Sequence, residues 1–349
     1  IDVIATTISG SIADWKKVEK IIPLFSKYGY EDVNLIEVDS HEAARKEAKK
    51  SLLNGCRIPI SAGGSGTFRA VLEGCLESKV ELSDIRLGFL RKGSADLIGK
   101  VLQMPDEIEN AIQVFAEALA QDSYLSADVL QAACKSSNKL PRHFIGYGGA
   151  EIFGRIPHYT ENRYIKYYKG VLGQIFGDLG PFTTGMIFSL LERIIKTPFV
   201  KKKHWRIYAD GVIKAEGSYH AIILVNGYLG PEMPFSDKSL ASGEFYVFGL
   251  RDMGFFKLFS QAKHARMGTI INDPERWGLE SVTAENKIEL VCDSDSPFPV
   301  NVDGSTFIAT NTMTFSRIAK IPLLKNCSTQ QNAQAGLADP LRSSANLIA

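Results

Sequence analysis

The segment most suited to chemistry is a glycine-rich turn at residues 63–67, with the sequence Gly-Gly-Ser-Gly-Thr. An apolar run precedes it and residues with helical periodicity follow it, so it joins a strand to a helix. Backbone N–H groups converge in such a turn at the positive end of the helix dipole, where they can bind a phosphate. The alternative is an ordinary tight turn without a ligand. The residues expected to cradle phosphate are Gly63, Gly64, Ser65, Gly66 and Thr67.

This turn differs from two common phosphate-binding motifs. No Lys-Ser or Lys-Thr pair follows the glycines, so it is not a Walker A loop, and position 69 is not the third glycine of a dinucleotide fingerprint. Arg69, Arg91 and Lys92 could supply positive charge to a bound phosphate, and each is also typical of a solvated surface.

The elements around the turn alternate between strand and helix patterns. Apolar runs near residues 3–7, 33–38, 56–62 and 85–90 indicate strands, and residues with helical spacing follow them. Repeated β–α order predicts a mostly parallel sheet with helices on both faces, which is a doubly wound α/β domain.

The pattern changes after about residue 123, where short strands are separated by Gly, Asn and Asp turns. Such spacing favours an antiparallel sandwich or barrel. Helical insertions are expected at 160–195 and 253–266. The predicted strands are 204–209, 212–216, 219–225, 244–250, 279–284, 287–292, 298–302 and 312–321.

Composition limits the class of protein. The chain has 349 residues, 45% hydrophobic and 23% charged, and its net charge of +1 argues against a nucleic-acid binder. Five scattered cysteines without Cys-x-x-Cys spacing are typical of free thiols in a reducing compartment. Neither a basic-then-apolar leader nor an apolar run of about 20 residues is visible. We therefore expect a cytoplasmic protein of two domains.

Four further motifs follow one another along the chain with the turn at 63–67 among them. Residues 6–10 end in Ser9 and Gly10, and 226–230 read Asn-Gly-Tyr-Leu-Gly. Residues 301–305 read Asn-Val-Asp-Gly-Ser. A second loop after a predicted strand contains Gly93, Ser94 and Asp96.

In order and spacing, over roughly residues 1–325, these motifs resemble the diacylglycerol kinase catalytic superfamily. That family includes bacterial lipid kinases, sphingosine and ceramide kinases and, more distantly, NAD kinases. Its Gly-Gly-Asp-Gly-Thr hallmark matches 63–67, with Ser65 replacing the aspartate. The resemblance implies that Ser9 and Gly10 help to bind the nucleotide and that Gly93, Ser94 and Asp96 face it.

The resemblance also implies a domain organisation. It predicts a nucleotide-binding α/β domain over 1–123 and a β-sandwich domain for the lipid substrate over 124–311, with the active cleft between them. It implies that the last strand, near 312–325, returns to the first domain. A polar tail over 327–349 completes the predicted organisation.

The departures from the family pattern fall on acidic residues. Ser65, Ser242 and Ser305 stand where the family has carboxylates, and Ser65 brings no charge to hold Mg²⁺. In the family, the glutamate of Asp-Gly-Glu is expected to accept the proton of the substrate hydroxyl, which Ser305 cannot do. Asp303 is the natural substitute base, although Asp-Gly is also the commonest hairpin dipeptide and recurs at 210–211.

The resemblance predicts an ATP-dependent lipid kinase that uses Mg²⁺ and phosphorylates a hydroxyl of diacylglycerol or of a sphingoid or ceramide lipid. Two alternatives stay open. One is a pseudokinase that binds nucleotide or lipid without chemistry, and the other is a kinase for a soluble metabolite, as in the NAD kinase branch. The sequence also leaves a homodimer open.

A basic segment at 192–206 contains six Lys or Arg residues and one acid, interleaved with Ile, Phe and Trp. It could contact an anionic membrane, because each cation near such a surface contributes about 1 kcal/mol. The alternative is a solvated hairpin end beside a buried helix. We therefore expect a cytoplasmic protein with peripheral attachment to the inner face of the membrane.

Overall fold

A computed structural model gives the fold of the chain. The residues that it describes are 1–7, 18–91, 97–134, 141–160, 185, 187–192, 202–230, 233 and 235–327.

A four-stranded parallel sheet forms the first part of the molecule, in the spatial order β2-β1-β3-β4. Most side chains of β1 and all those of β3 and β4 are buried, as expected for a sheet covered on both faces. The strands are β1 (Asp2–Thr6), β2 (Asn34–Val38), β3 (Pro59–Gly63) and β4 (Gly88–Arg91).

Within the described residues, five helices accompany this sheet. The chain runs from β1 to β2 in one direction and back across the sheet to β3 and β4, so right-handed crossovers place the first helix opposite the second and third. Phe25 of the first helix stacks on Phe115 of the fifth, with ring centroids 6.5 Å apart. The helices are α1 (Ile21–Lys27), α2 (His41–Leu53), α3 (Ser65–Ser78), α4 (Leu97–Val101) and α5 (Ile108–Ala120).

Two six-stranded sheets form the second part, and apart from one bridge near Leu87 their pairings are antiparallel. One has the order β12-β11-β10-β7-β14-β15 and the other β6-β5-β16-β13-β8-β9. The strands are β5 (Tyr124–Cys134), β6 (Arg142–Phe144), β7 (Tyr147–Glu151), β8 (Trp205–Ala209), β9 (Val212–Gly217), β10 (Tyr219–Val225), β11 (Phe245–Arg251), β12 (Leu279–Ala284), β13 (Lys287–Cys292), β14 (Phe298–Val302), β15 (Ser305–Ala309) and β16 (Thr312–Leu324).

Helices of this second part also occur in the described ranges. They are α6 (Ile152–Thr160), α7 (Phe255–Arg266) and α8 (Pro274–Trp277). The predicted insertion at 253–266 is thus a helix, whereas most of the insertion predicted at 160–195 lies outside the described residues. No helix in the described ranges is long and apolar enough to cross a membrane.

The last strand connects the two parts of the molecule. β16 pairs with β5 and β13 over most of its length. At its end Leu323 forms a parallel bridge with Leu87, just before β4, and the N–H of Leu324 donates to the carbonyl of Leu87 at 2.9 Å. The strand therefore extends the edge of the parallel sheet while it remains part of the sandwich.

Two apolar clusters make up the core. One lies inside the sandwich, where Trp205 packs edge-on against Phe298 with ring centroids 4.8 Å apart. The other runs from the parallel sheet to α6 and the outer face of β10 and β11, where it includes Ile156 and Phe248. Because this second cluster is continuous, apolar packing joins the two parts of the molecule.

The predicted fold class, an α/β domain followed by an antiparallel sandwich, is confirmed. Two details are corrected. Four strands are absent from the sequence prediction: β5, β6, β7 and β15. The sequence of β7, Tyr-Gly-Gly-Ala-Glu, has a low strand propensity, so no strand is predicted there. The third helix begins at Ser65, inside the glycine turn and not after it, so three of the five turn residues belong to its first turn.

Candidate active site

The glycine turn is compact because side chains already fill the space around it. A Cβ on Gly63 would lie 2.4 Å from Oγ1 of Thr67, so the position requires glycine. Gly64 is the N-cap of the 14-residue helix α3, and the N–H of Phe68 makes the first helical bond, to the carbonyl of Gly64 at 3.1 Å. The preceding N–H groups of the first turn have no helical acceptor, which makes this end of α3 suitable for an anion.

A buried hydrogen bond fixes the turn to the first strand. The hydroxyls of Thr6 and Thr67 are 2.7 Å apart, and both residues are fully buried. Thr6 begins the first motif predicted from the sequence, and it therefore positions α3. Ser9 and Gly10, which were predicted to bind the nucleotide, lie outside the described residues, as do Gly93, Ser94 and Asp96.

His41, the first residue of α2, covers the turn, and sequence reasoning missed it. A Cβ on Gly66 would lie 2.7 Å from Cε1 of the His41 ring, so the imidazole rests against the backbone of the turn. Burial lowers the pKa of His41, and the charges of Arg69 and Arg142 lower it further. The ring is therefore a neutral group among cations near neutral pH.

The cations around this ring come from both parts of the molecule. Arg69 lies on α3, and Arg142 is the first residue of β6, where its Nη1 lies 3.5 Å from Oγ of Ser305. Burial alone would raise the pKa of Glu73, but its bond to His143 and the charge of Arg69 outweigh burial and lower it. The cluster thus has one ionised carboxylate beside two guanidinium groups.

Asp303 lies in the turn between β14 and β15 and is 8% exposed. Its carboxylate accepts hydrogen bonds from the N–H groups of Ile145 at 3.0 Å, Gly146 at 3.1 Å and Tyr147 at 2.8 Å. Burial raises its pKa, and this effect exceeds the lowering by the three N–H groups and by Arg69. The geometry is that of a residue which holds the start of β7 in place.

The segment held by Asp303 is also fixed from behind. The Nδ2 group of Asn226 donates to the carbonyls of Asp128 at 2.7 Å and Ile145 at 2.8 Å. Asn226 begins the Asn-Gly motif at 226–230, and its contacts are with backbone groups. Its described role is therefore to shape the cleft.

The glycine turn and the Asp303 turn meet across the cleft. A Cβ on Gly304 would lie 3.5 Å from Oγ of Ser65 and 3.6 Å from the hydroxyl of Tyr147. Two motifs separated by more than 200 positions in the sequence are therefore in contact range. The gap between them is where an anion bound at the N-terminus of α3 would face the second domain.

Arg91, a predicted source of positive charge for the phosphate, is held by the segment that follows α4. It is 9% exposed, its Nη1 donates to the carbonyl of Met104 at 2.9 Å and its Nη2 lies 3.4 Å from Asp106. Its guanidinium therefore fixes the segment after α4. Lys92 lies outside the described residues.

The described part of the basic segment is residues 202–206. Trp205 is fully buried, and its Nε1 donates to Glu151 at 3.2 Å. Lys202 lies 3.0 Å from the buried carboxylate of Asp252, and Lys203 lies over the Phe298 ring at 5.3 Å. The aromatic residue of 202–206 thus belongs to the core, and 193–201 lie outside the described residues.

An apolar groove of about 470 Å³ lies on the outer face of β11 and β12. Its size is within the range of pockets that bind small ligands, about 300–1,000 Å³. The residues that line it are mostly aromatic or aliphatic: Tyr228, Phe235, Ser236, Asp237, Phe248, Ile271, Pro274, Leu279 and Ser281.

These features define a class of protein: an α/β domain presents the glycine-rich N-terminus of a helix to a β-sandwich, with Arg69 and Arg142 close by. Residues 2–131 match the family model described as the diacylglycerol kinase catalytic domain. The resemblance to the diacylglycerol kinase catalytic superfamily that the motifs predict is therefore confirmed.

The similarity to individual proteins extends over most of the chain. A diacylglycerol kinase of Staphylococcus haemolyticus is 23% identical over 303 residues, which are 86% of this chain and 81% of that protein. The crystal structure of a diacylglycerol kinase from Bacillus anthracis has a TM-score of 0.60 and 15% identity, over 94% and 97% of the two chains. Another Bacillus anthracis structure has a TM-score of 0.65 and 17% identity, over 94% and 95%. These structures show the same fold.

Proposed function

We propose that this chain transfers the γ-phosphoryl group of ATP to a hydroxyl of diacylglycerol or of a related sphingoid or ceramide lipid. The observation that carries the proposal is the close approach of the Asp303–Gly304 turn to the Ser65 end of α3, since a Cβ on Gly304 would lie 3.5 Å from Oγ of Ser65. The family match and the similarity to a diacylglycerol kinase support the same reaction class. Attachment to an anionic membrane through 192–206 remains part of the proposal.

Phosphoryl transfer depends mainly on positioning and on positive charge against the phosphates. In our proposal the first-turn N–H groups of α3 bind the phosphates, and Thr6 holds that turn in place. Arg69 and Arg142 supply charge from the two sides of the cleft. His41 covers the turn as a neutral ring and limits how much water reaches it.

The described residues do not form a magnesium site. Ser65 has no carboxylate, and the carboxylate of Asp303 already accepts three backbone N–H groups. No group of three His, Cys, Asp or Glu side chains that could hold a metal occurs in the described ranges. We therefore derive no step through a resident metal.

Asp303 has two candidate roles in this reaction. As a base it would accept the proton of the acceptor hydroxyl. Its raised pKa strengthens the affinity of the carboxylate for that proton. As a positioning residue it would keep Ile145–Tyr147 in place. The three N–H bonds support the second role.

The acceptor lipid has a candidate site in the apolar groove of β11 and β12. Phe248 and Leu279 line this groove from two neighbouring strands, and Tyr228 also lines it. Apolar walls with few polar groups suit an acyl chain. We propose that the groove holds the chain while the hydroxyl reaches the cleft.

A second candidate function is nucleotide or lipid binding without turnover. The observation that favours it is that Ser65 and Ser305 face the cleft without charge while Asp303 is engaged. A thermal-shift titration separates the two functions. Stabilisation by ATP only with Mg²⁺ supports the kinase, and metal-independent stabilisation supports the binder.

The experiment that tests the kinase is an assay with labelled ATP, Mg²⁺ and lipid in mixed micelles, with diacylglycerol, sphingosine and ceramide as separate acceptors. Arg142→Gln should weaken ATP use by about tenfold or more, because it removes a charge-assisted contact. Lys214→Gln, which removes an exposed cation on β9, is the control and should have no effect. Transfer to none of the three acceptors would reject the catalytic proposal.

A further inference from the structure

The surface formed by α7 carries large exposed side chains that the proposed reaction does not use. Phe256 is 87% exposed, Phe259 50% and Met267 60%. Their spacing, with Lys263 between them, places all four on one side of the helix and its continuation. We call these four residues the α7 face.

The helix is held firmly from its other side. Leu258 is buried, and Gln261 is fully buried with its Nε2 donating to the carbonyls of Arg251 at 3.0 Å and Trp277 at 2.7 Å. His264 stacks on Trp277 with ring centroids 4.0 Å apart. The α7 face is therefore presented by a helix tied to the end of the sandwich.

The charge of this helix has one sign. Its sequence, Phe-Phe-Lys-Leu-Phe-Ser-Gln-Ala-Lys-His-Ala-Arg, has three basic residues and no acid. Lys202 lies close by, since it pairs with Asp252, whose Oδ1 accepts the N–H of Gly254 at the N-cap of α7. The exposed acids of the neighbouring segment, Asp273 and Glu275, belong to α8.

We propose that the α7 face docks this protein onto an anionic lipid bilayer. Phe256, Phe259 and Met267 would insert at the level where headgroups meet acyl chains, and Lys257 and Lys263 would lie against lipid phosphates. The exposed aromatic rings suit the apolar acyl region of a bilayer, and the charged residues on the same helix are all cations, which suit lipid phosphates.

This surface lies outside the predicted segment 192–206, of which Lys202 lies close to the start of α7. It also adjoins the apolar groove, because Ile271, 45% exposed just beyond Met267, lines that groove. Docking through α7 would therefore bring the groove to the lipid. The proposal goes beyond phosphoryl transfer, since it needs neither nucleotide nor turnover.

The test is co-sedimentation of the purified full chain with vesicles, without ATP. One vesicle type is pure phosphatidylcholine, and the other is an equimolar mixture of phosphatidylcholine and phosphatidylglycerol. We expect binding to the mixed vesicles. The double variant Phe256→Ser/Phe259→Ser should weaken it at least about tenfold, and Lys257→Gln and Lys263→Gln should each weaken it about fivefold.

Matched controls come from the β9 hairpin, which has exposed residues of the same kinds. Val212→Ser/Ile213→Ser removes two side chains that are 55% and 45% exposed, and Lys214→Gln removes an exposed charge. Neither should alter vesicle binding. Circular dichroism and thermal melting should show all variants folded, because the altered side chains are at the surface.

Three results would overturn the proposal. They are no binding of the parent protein to mixed vesicles, equal losses in the β9 controls, and a self-association in sedimentation velocity that the Phe256→Ser/Phe259→Ser variant abolishes. The last result would assign the α7 face to a second copy of the chain. Kinase activity on micellar lipid without vesicle binding would leave the proposed function standing and reject only this inference.

Discussion

Two turns of this molecule carry the same dipeptide and the same local geometry but different surroundings. Asp210-Gly211 joins β8 to β9, and we call it the outer turn. Asp303-Gly304 joins β14 to β15, and we call it the cleft turn. Both aspartates have a positive φ, 48° and 43°, and each carboxylate accepts three consecutive backbone N–H groups from another segment.

Burial separates the two turns. In Asp210 the three N–H bonds outweigh burial and lower the pKa, whereas in Asp303 burial outweighs the same number of bonds and raises it. Gly211 has open space where a Cβ would be, while the Cβ position of Gly304 faces Ser65. The Asp-Gly motif by itself therefore specifies a turn whose carboxylate binds the backbone of another segment. Only the position of Asp303-Gly304 in the cleft places that turn beside the glycine turn.

The largest expected difference is in stability after the carboxylates are removed. Asp303→Ala leaves three buried N–H groups without an acceptor, so we expect the free energy of unfolding to fall by at least about 3 kcal/mol. Asp210→Ala exposes its N–H groups to water and should cost about 1 kcal/mol. Chemical denaturation measures both. Equal losses would show that burial does not distinguish the turns.

How far the sequence predicts this molecule depends on the kind of contact. The strands Leu279–Ala284, Lys287–Cys292 and Phe298–Val302 match their predicted bounds, because alternation and flanking turns are local signals. β7 was not predicted because it contains Gly148 and Gly149. Glycine has a low strand propensity, and these glycines are required by close contact with neighbouring segments. A Cβ on Gly149 would lie 2.2 Å from the carbonyl oxygen of Ile222.

The site was predictable only in part for the same reason. The glycine turn has a signature in consecutive residues, so it was found. His41 and Arg142 come from α2 and β6 and meet the turn only through tertiary packing, which leaves no local pattern. Asp303 was found through its motif, but its N–H partners at 145–147 could not be predicted from it.

The second prediction uses pH to separate the turns. Because the folded pKa of Asp210 is lowered, its stabilising effect is present above the unfolded value of 3.8 and is lost as the pH falls through the folded pKa. The free energy of unfolding that Asp210→Asn loses relative to the parent should therefore grow as the pH rises toward 3.8.

Asp303 should give the opposite slope. Its folded pKa is raised, so the folded protein binds more protons and loses stability as the pH rises from 3.8 through the folded pKa. The free energy of unfolding that Asp303→Asn loses relative to the parent should therefore shrink over that pH range. Unfolding free energies of the parent and both variants at several acidic pH values provide the measurement, and parallel curves for the two variants would contradict the assigned directions.

The third prediction concerns the glycines. Gly211→Ala and Gly304→Ala should each lower the free energy of unfolding by about 1 to 2 kcal/mol, since both glycines have a left-handed φ, 84° and 80°. Only Gly304→Ala narrows the gap to Ser65, so only it should weaken ATP binding in a thermal-shift titration. Loss of binding in Gly211→Ala as well would assign the effect to backbone strain.

The smallest effect on stability should come from Ser65→Asp, which restores the acid of the family pattern opposite the cleft turn. An acid in the first turn of α3 interacts favourably with the helix dipole, so we expect a change within about 1 kcal/mol. Its repulsion of phosphate should weaken ATP binding without Mg²⁺, whereas with Mg²⁺ a carboxylate there offers the metal a ligand that Ser65 does not.

The control for this variant is Ser65→Ala, which removes the hydroxyl without adding charge. If the chain is a kinase limited by the missing acid, phosphate transfer by Ser65→Asp should exceed that of both the parent and Ser65→Ala. If neither transfer nor Mg²⁺-dependent stabilisation changes, the glycine turn and the cleft turn form a binding site that one carboxylate cannot convert into a catalytic one, and the binding module becomes the better description of the protein.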